Sequence, residues 1–405
     1  MPSGLPASAG LRIVFLGTSE FALPVLEALA LAPDGVAAVI TRPDRPAGRG
    51  GAHSPNNAPR TTSRVGGMRG GRELRPPPVK VASQRLGLAV HQPERVSRPE
   101  GIELLQSAGG GRPDLLVVAA FGEVLHENVL GIPRLGAINV HASLLPRYRG
   151  AAPIQRAILA GETVTGVTVQ WMSKELDAGD IILQRSLAVG EGEDFGSLHA
   201  RLAQLGAEAA VEAVSLIRRG EAPRIPQQAE DATLAHSDAG MRASYAPPIR
   251  REELQLDWTQ PASQLVRTVR AFSPRPGART SRHAAGVLRV LSAREAPPVA
   301  QVRDLRRPAA GRPPTAEQNK GVLPVPAPGR GLPGEVAELT AEGFVVWAGE
   351  GRVLVLRVHP AGRREMTASE YAQGYRLTPG EHLGSPEGRN AVVLPRGRRA
   401  TPSHQ

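Results

Sequence analysis

Arg12-Ile13-Val14-Phe15-Leu16-Gly17 is apolar without alternation after its first residue. Such a run predicts a strand covered on both faces. Phe21, Val25, Leu26 and Leu29 then recur at three- and four-residue spacing, which predicts a helix over 21–31. The same reading gives strands over 36–40, 115–120, 136–141 and 166–172. Helices are predicted over 79–86, 152–160 and 196–218. Strands alternating with helices predict an α/β domain over residues 1–218, with a largely parallel sheet.

Beyond Arg219 the pattern changes. Residues 219–243 are polar and broken by Pro, as in a linker. Leu256 and Trp258 precede a helix over 262–271, and short strands are predicted over 287–291, 334–339, 343–348 and 353–358. Short strands between Gly and Pro turns predict a smaller, barrel-like domain over 244–385. Residues 51–74 and 306–333 are rich in Gly, Pro and Arg, and have the composition of disordered insertions. Residues 386–405 form a basic tail that includes Arg396-Gly397-Arg398-Arg399.

A length of 405 residues suits two domains. The chain has no cysteine, which excludes disulfides, thiolate chemistry and cysteine-ligated metal sites. The longest apolar run, Leu115 to Phe121, is too short to span a bilayer, and no secretory leader is evident. A cytoplasmic location is therefore expected. The net charge is +11, and residues 244–405 hold 24 Arg or Lys against 14 Asp or Glu. A one-sided basic domain points to a polyanionic partner. Arginine dominance also follows from a GC-rich genome, since only Lys80, Lys174 and Lys320 are lysines.

The candidate chemistry lies in Asn139-Val140-His141 and in Leu176-Asp177-Ala178-Gly179-Asp180. Positions i and i+2 of a strand share a face, so Asn139 and His141 point the same way near a strand end. Open α/β sheets place ligands at such ends. A carboxamide, an imidazole and a carboxylate can together polarise a carbonyl, hold an oxyanion and move protons. Gly17-Thr18-Ser19-Glu20-Phe21-Ala22 is not a dinucleotide fingerprint, and no phosphate-binding Walker loop is present, so NAD and nucleoside triphosphates are not implied. No metal-ligand spacing appears.

The text from His141 through Pro146, Arg147-Tyr148-Arg149-Gly150 and Gln155, with Leu176–Asp180, resembles the methionyl-tRNA formyltransferase family. Gly17–Ala22, Thr41–Gly50, Pro78-Val79-Lys80 and Tyr245-Ala246-Pro247 through Trp258 extend the resemblance. It implies a Rossmann-like formyltransferase domain followed by an open β-barrel of the oligonucleotide-binding type. The implied reaction moves a formyl group from 10-formyltetrahydrofolate to initiator methionyl-tRNA, with Asn139, His141 and Asp177 catalytic. The folate pocket would be formed by Phe121, Gly122, Val124, Leu125 and Ser143-Leu144-Leu145-Pro146. Phe121 and His126 depart from the family's usual Tyr and Pro in that loop. The tRNA contacts would come from Arg42, Arg45, Arg49 and Lys80. No metal, NAD or obligate protein partner is implied. Shorter glycinamide ribonucleotide and formyltetrahydrofolate enzymes lack the second domain. A sugar-nucleotide formyltransferase, or a non-catalytic RNA-binding protein on the same scaffold, remains the alternative.

Overall fold

The computed structural model describes residues 10–46, 74–227, 243–282, 286–297 and 331–384. The insertions at 51–74 and 306–333 and the tail at 386–405 therefore lie outside the described residues, except Leu74 and residues 331–333. The chain divides into two compact units, the first ending at Pro248 and the second continuing from Ile249. Two short pieces, Ile158–Gly161 and Glu191–Gly196, group with the second unit.

The first unit begins β1 (Ile13–Gly17), α1 (Ala22–Leu31), β2 (Ala38–Ile40), β3 (Arg45–Pro46), β4 (Leu74–Arg75), α2 (Pro78–Arg85) and β5 (Val90–His91). It continues α3 (Pro99–Ser107), β6 (Leu115–Ala119), α4 (Glu127–Leu130), β7 (Gly136–His141), α5 (Pro153–Ala160), β8 (Val164–Trp171), β9 (Ile181–Ala188) and α6 (Phe195–Arg219). Seven strands form one sheet in the order β5-β2-β1-β6-β7-β8-β9. The strands from β5 to β7 pair in parallel. β1 and β6 are buried along their whole length, as their unbroken apolar runs predict. Strand order reverses between β1 and β6, which puts a ligand crevice at the carboxyl ends of the central strands.

β8 and β9 are antiparallel additions at one edge. β8 is where the sequence places a strand, but β9 is not foreseen. Its first three residues are buried, and Arg185 and Ser186 are exposed, so its apolar signal is brief. The segment after Arg219 is not a free linker in its described part. Ile225 pairs with Ile181, and the Trp171 indole donates to the Pro223 carbonyl at 3.1 Å. α6 lies behind β7, and a Cβ at Gly206 would come to 3.0 Å from Val140 Cγ1.

The second unit contains α7 (Ala262–Phe272), β10 (Ala278–Arg282), β11 (Gly286–Glu295), β12 (Val336–Leu339), β13 (Phe344–Trp347), β14 (Arg352–Pro360), β15 (Met366–Thr367) and α8 (Ala368–Gly374). Its strands are antiparallel in the order β10-β11-β14-β13-β12, with β15 added to β14. Leu383 bridges to Arg282, and His382 bridges to Glu335, so one short segment joins the two ends of the sheet. α8 starts on a capping box between Thr367 and Glu370. Phe272, Phe344, Val355 and Tyr371 are core residues of this unit.

Candidate active site

β7 carries Asn139 and His141 to its carboxyl end, on the shared face that period-two geometry dictates. The antiparallel partner β8 sets Gln170 opposite Asn139 and Thr168 opposite His141. Thr168 then anchors the turn that follows. Its hydroxyl donates to the Ser143 carbonyl at 2.7 Å and accepts from the Leu145 amide at 3.0 Å. Ser143 donates to the Arg147 carbonyl at 2.6 Å, and Gln184 donates to the Leu145 carbonyl at 2.8 Å. Three of these bonds tie the loop to the sheet and the fourth closes it on itself, and the loop delivers Tyr148 and Gly150 to the site.

Asp177 reaches the same place from the other side. Its backbone is left-handed, with φ 51°. The turn also depends on Gly179, where a Cβ would overlap the Trp171 carbonyl. Asp177 Oδ1 accepts from Asn139 Nδ2 at 3.3 Å and from Gln170 Nε2 at 3.2 Å. Oδ2 accepts from the Gly150 amide at 2.9 Å and faces His141 Nδ1 at 3.6 Å. Gly150 has φ 116°, and a Cβ there would press on Tyr245 and the Ala246 carbonyl. Only glycine therefore points that amide at the carboxylate without strain.

His141 is held at its other nitrogen. Nε2 lies 2.9 Å from the Tyr148 carbonyl, and since a carbonyl can only accept, Nε2 carries a proton. The ring edge bearing Nδ1 is thereby fixed toward Asp177. Tyr148 has φ 60°, and its hydroxyl donates to Glu162 at 2.6 Å. Burial, and then that glutamate, push the Tyr148 phenol well above its usual range, so it stays a neutral donor. Arg147 pairs with the same carboxylate.

The structure therefore brings Asn139, His141 and Asp177 together, with His141 and Asp177 side chains only 7% and 11% exposed. Sequence reasoning missed Gln170, Gln227 and the Gly150 amide. Gln170 reads as an ordinary strand residue, and Gln227 lies in a polar, Pro-broken stretch without periodicity.

The predicted folate loop lies after β6. Ala120 and Gly122 are left-handed, at φ 44° and 78°, and Thr18 donates to the Phe121 carbonyl at 2.7 Å. Phe121 and Leu125 are core residues, whereas Gly122 and Val124 are exposed. Ser143 and Leu145 are also fully buried, Pro146 is buried, and Leu144 is half-buried. Of the eight residues, Gly122, Val124 and Leu144 offer most surface, and the other five are buried.

The expected tRNA contacts fare differently from one another. Arg42 pairs with Glu123 at 2.5 Å and donates to the Glu94 carbonyl at 3.3 Å. Lys80 bonds both oxygens of Asp44, at 2.9 and 2.8 Å. Arg45 is exposed and pairs with Arg75 across the β3–β4 ribbon. Arg49 lies outside the described residues. Among the described residues, no cluster of His, Asp and Glu is arranged to hold a metal ion. No helix among them is long and apolar enough to cross a membrane.

Comparison with known proteins identifies the chain's relatives. A formyl transferase family model matches residues 11–214, and a model of the formyl transferase C-terminal domain matches residues 248–376. A methionyl-tRNA formyltransferase of Moorella thermoacetica is 41% identical over 92% of this chain and 99% of its own length. That of Halorhodospira halophila is 42% identical over 91% of this chain and 98% of its own. Among solved structures, the sugar 3N-formyl transferase WlaRD, in the presence of dTDP and 5-N-formyl-THF, gives a TM-score of 0.52. It covers 87% of this chain and 99% of its own at 13% identity, a likeness of fold alone.

Proposed function

The chain belongs to the methionyl-tRNA formyltransferase family, and on that premise we propose that it moves a formyl group from 10-formyltetrahydrofolate to the α-amino group of initiator methionyl-tRNA. The observation that carries this reading is the convergence of Asn139 Nδ2, His141 Nδ1 and the Asp177 carboxylate at the carboxyl end of β7. The sugar-nucleotide alternative has no comparable support, because the sugar formyltransferase WlaRD is only 13% identical. A non-catalytic role leaves the assembled site without a purpose.

The chemistry needs a donor for a developing oxyanion and an acceptor for a proton. The amine nitrogen bonds to the formyl carbon, the carbonyl oxygen gains negative charge, and the bond from that carbon to the folate nitrogen then breaks. Asn139 Nδ2 and a protonated His141 Nδ1 are the donors, and one such donor is typically worth about 3 kcal/mol. Their contacts with Asp177, at 3.3 and 3.6 Å, are long enough for a substrate oxygen to compete with the carboxylate. Asp177 takes the proton that the amine loses, directly or through water, and a proton returns to the folate nitrogen as it leaves.

The folate fits the loop after β6. Ala120 and Gly122 are left-handed and exposed there, and Val124 supplies exposed apolar surface. Such groups suit a flat heteroaromatic ring with a few edge hydrogen bonds. Arg42 and Lys80 are bonded within the chain, so we assign them to anchoring the base of the loop that carries Arg45 and Arg49. Those two arginines meet the acceptor end of the tRNA.

The second unit supplies a further RNA surface. Arg279, Arg289 and His359 stand in register on β10, β11 and β14. They alternate with the buried Ala278, Thr280, Leu288, Val290 and Val358, so they lie on the face away from the core. None of the three side chains has a hydrogen-bond or ion-pair partner among the described residues. Cations directly opposite one another are unfavourable unless an anion lies between them. A phosphate backbone provides one. The enzyme would act in the cytoplasm, where initiator tRNA is charged and used in translation initiation.

The test is incubation with 10-formyltetrahydrofolate and charged initiator tRNA, followed by mass analysis of the released amino acid. N-formylmethionine is expected. Unmodified methionine, with formyl transfer to an amino-sugar nucleotide instead, would overturn the assignment.

A further inference from the structure

A hydrogen-bond chain approaches Asp177 from behind and ends at Gln227, in the stretch that follows α6. The Arg149 guanidinium donates twice to Gln227 Oε1, from Nε at 3.0 Å and from a terminal nitrogen at 2.7 Å. That fork fixes which end of the Gln227 amide is oxygen. Gln227 Nε2 therefore faces three acceptors: Gly179 O at 2.8 Å, Gln170 Oε1 at 2.9 Å and Asp177 O at 3.0 Å. Because Gln170 Oε1 accepts from Gln227, its own Nε2 must point the other way. There it donates to Asp177 Oδ1 at 3.2 Å.

Direction thus passes from Arg149 through Gln227 and Gln170 to the carboxylate. The chain holds the backbone as well as the side chain. Gln227 bonds two carbonyls of the turn in which Asp177 adopts a left-handed conformation and Gly179 has no room for a Cβ. A non-glycine residue at positive φ persists only when its surroundings over-determine it. Arg149 is also the residue before Gly150, whose amide donates to Asp177 Oδ2 at 2.9 Å. One amide side chain therefore ties together both loops that grip the carboxylate.

We propose that Gln227 is a positioning residue for formyl transfer: oriented by Arg149, it locks the Gln170 amide and the Asp177–Gly179 turn so that Asp177 is held on the His141 and Asn139 donors. This role rests on the reading of the site as the formyl-transfer centre. Gln227 itself touches no reacting atom. Its loss should reduce turnover without weakening either substrate, since misplacing a reacting group by about 1 Å can cost a hundredfold.

Two variants of nearly equal size test this. Gln227→Glu keeps an acceptor for Arg149 and forms an ion pair with it, but can no longer donate to Gln170, Asp177 or Gly179. Gln227→Met loses both functions. Both should lower kcat about tenfold or more, with KM for folate and for tRNA within about twofold. Gln227→Glu, which keeps an ion pair with Arg149, should nevertheless melt later than Gln227→Met. A purely structural role predicts the opposite, with turnover following Tm and Gln227→Glu close to wild type; that result would overturn the proposal. Amide exchange at Gly150, which donates to Asp177, and at Trp171, which donates to the Asp180 carbonyl beside the turn, gives a second reading that needs no turnover. Faster exchange in both variants supports the chain, and unchanged protection refutes it. Wild-type protein assayed alongside separates the two ideas. If it fails to formylate charged tRNA, the functional assignment is wrong, and the exchange rates still decide the role of Gln227.

Discussion

Asn139 and Gln170 face each other across the antiparallel pair of β7 and β8, and both donate to a single oxygen of Asp177, at 3.3 and 3.2 Å. The other carboxylate oxygen takes the Gly150 amide and faces the imidazole. Both carboxylate oxygens are thus ringed by donors, and neither is placed to be one. The acid is held as an acceptor, as removal of an amine proton requires.

Asp177→Asn should therefore be damaging in two ways. The new NH2 group must point either at the donors Asn139 and Gln170 or at the Gly150 amide. Each choice leaves donor facing donor, which costs about 1–3 kcal/mol for a buried group. Thermal unfolding should show a lower Tm, and turnover on charged tRNA should fall at least a hundredfold. A variant with wild-type Tm and turnover would remove Asp177 from the mechanism.

Asn139→Ala and His141→Ala remove the two donors to the developing oxyanion. Each should lower kcat about a hundredfold or more, with KM for both substrates little changed, because such donors act mainly on the transition state. Steady-state kinetics with folate and tRNA varied separately would check this. A rise in KM at unchanged kcat would assign the residue to ground-state binding instead.

The parts of this site that sequence could reveal are those set by local rules. Unbroken apolar runs located β1 and β6, and period two placed Asn139 and His141 on one face. Asp177 was legible through the resemblance of its whole turn, not through its own neighbours. Gln227 and Gln170 were not: Gln227 lies in a polar stretch without periodicity, Gln170 reads as an ordinary strand residue, and their mutual contact spans 57 residues of chain. Arg42 and Lys80 show the converse. The sequence shows Arg42 in a loop and Lys80 at the start of α2 simply as cations, and only the fold reveals Glu123 and Asp44 beside them. β9 escaped because only its first three residues are buried.

The Lys80–Asp44 pair gives a pH signature. Hydrogen bonds from Lys80 and then Gln92 hold the Asp44 carboxyl below its ordinary value. A depressed folded-state pKa contributes stability that is full above the unfolded value, about 3.9, and is lost as pH falls below it. The Tm difference between wild type and Lys80→Ala should be constant from pH 7 to about 5 and shrink below about 4. If the difference is the same at pH 3.5 and pH 7, the pair does not contribute through this linkage.

Replacing Arg279 and Arg289 with Ala should weaken tRNA binding without touching folate. Each phosphate that is no longer neutralised should reduce the slope of log affinity against log salt by about 0.7–0.9. Their unpaired, half-buried row on the outer face also predicts little change in Tm. Binding titrations at several salt concentrations would decide the matter. An unchanged slope would show that RNA does not cross this face.

Residues 51–72 offer a test of what an insertion contributes. Pro46 pairs with Leu74 and Arg45 with Arg75, so the two ends of the intervening stretch are adjacent. Excising 51–72 leaves residues 47–50 and 73 to join the two strands, a length that suits a hairpin connection. Arg45 and Arg49 both survive the excision. Lys80 and Asp44 still anchor the base. The deletion should therefore keep most of the activity on tRNA, with folate KM and Tm close to wild type. A selective rise in tRNA KM, with folate binding intact, would show instead that the excised residues are part of the RNA-binding surface.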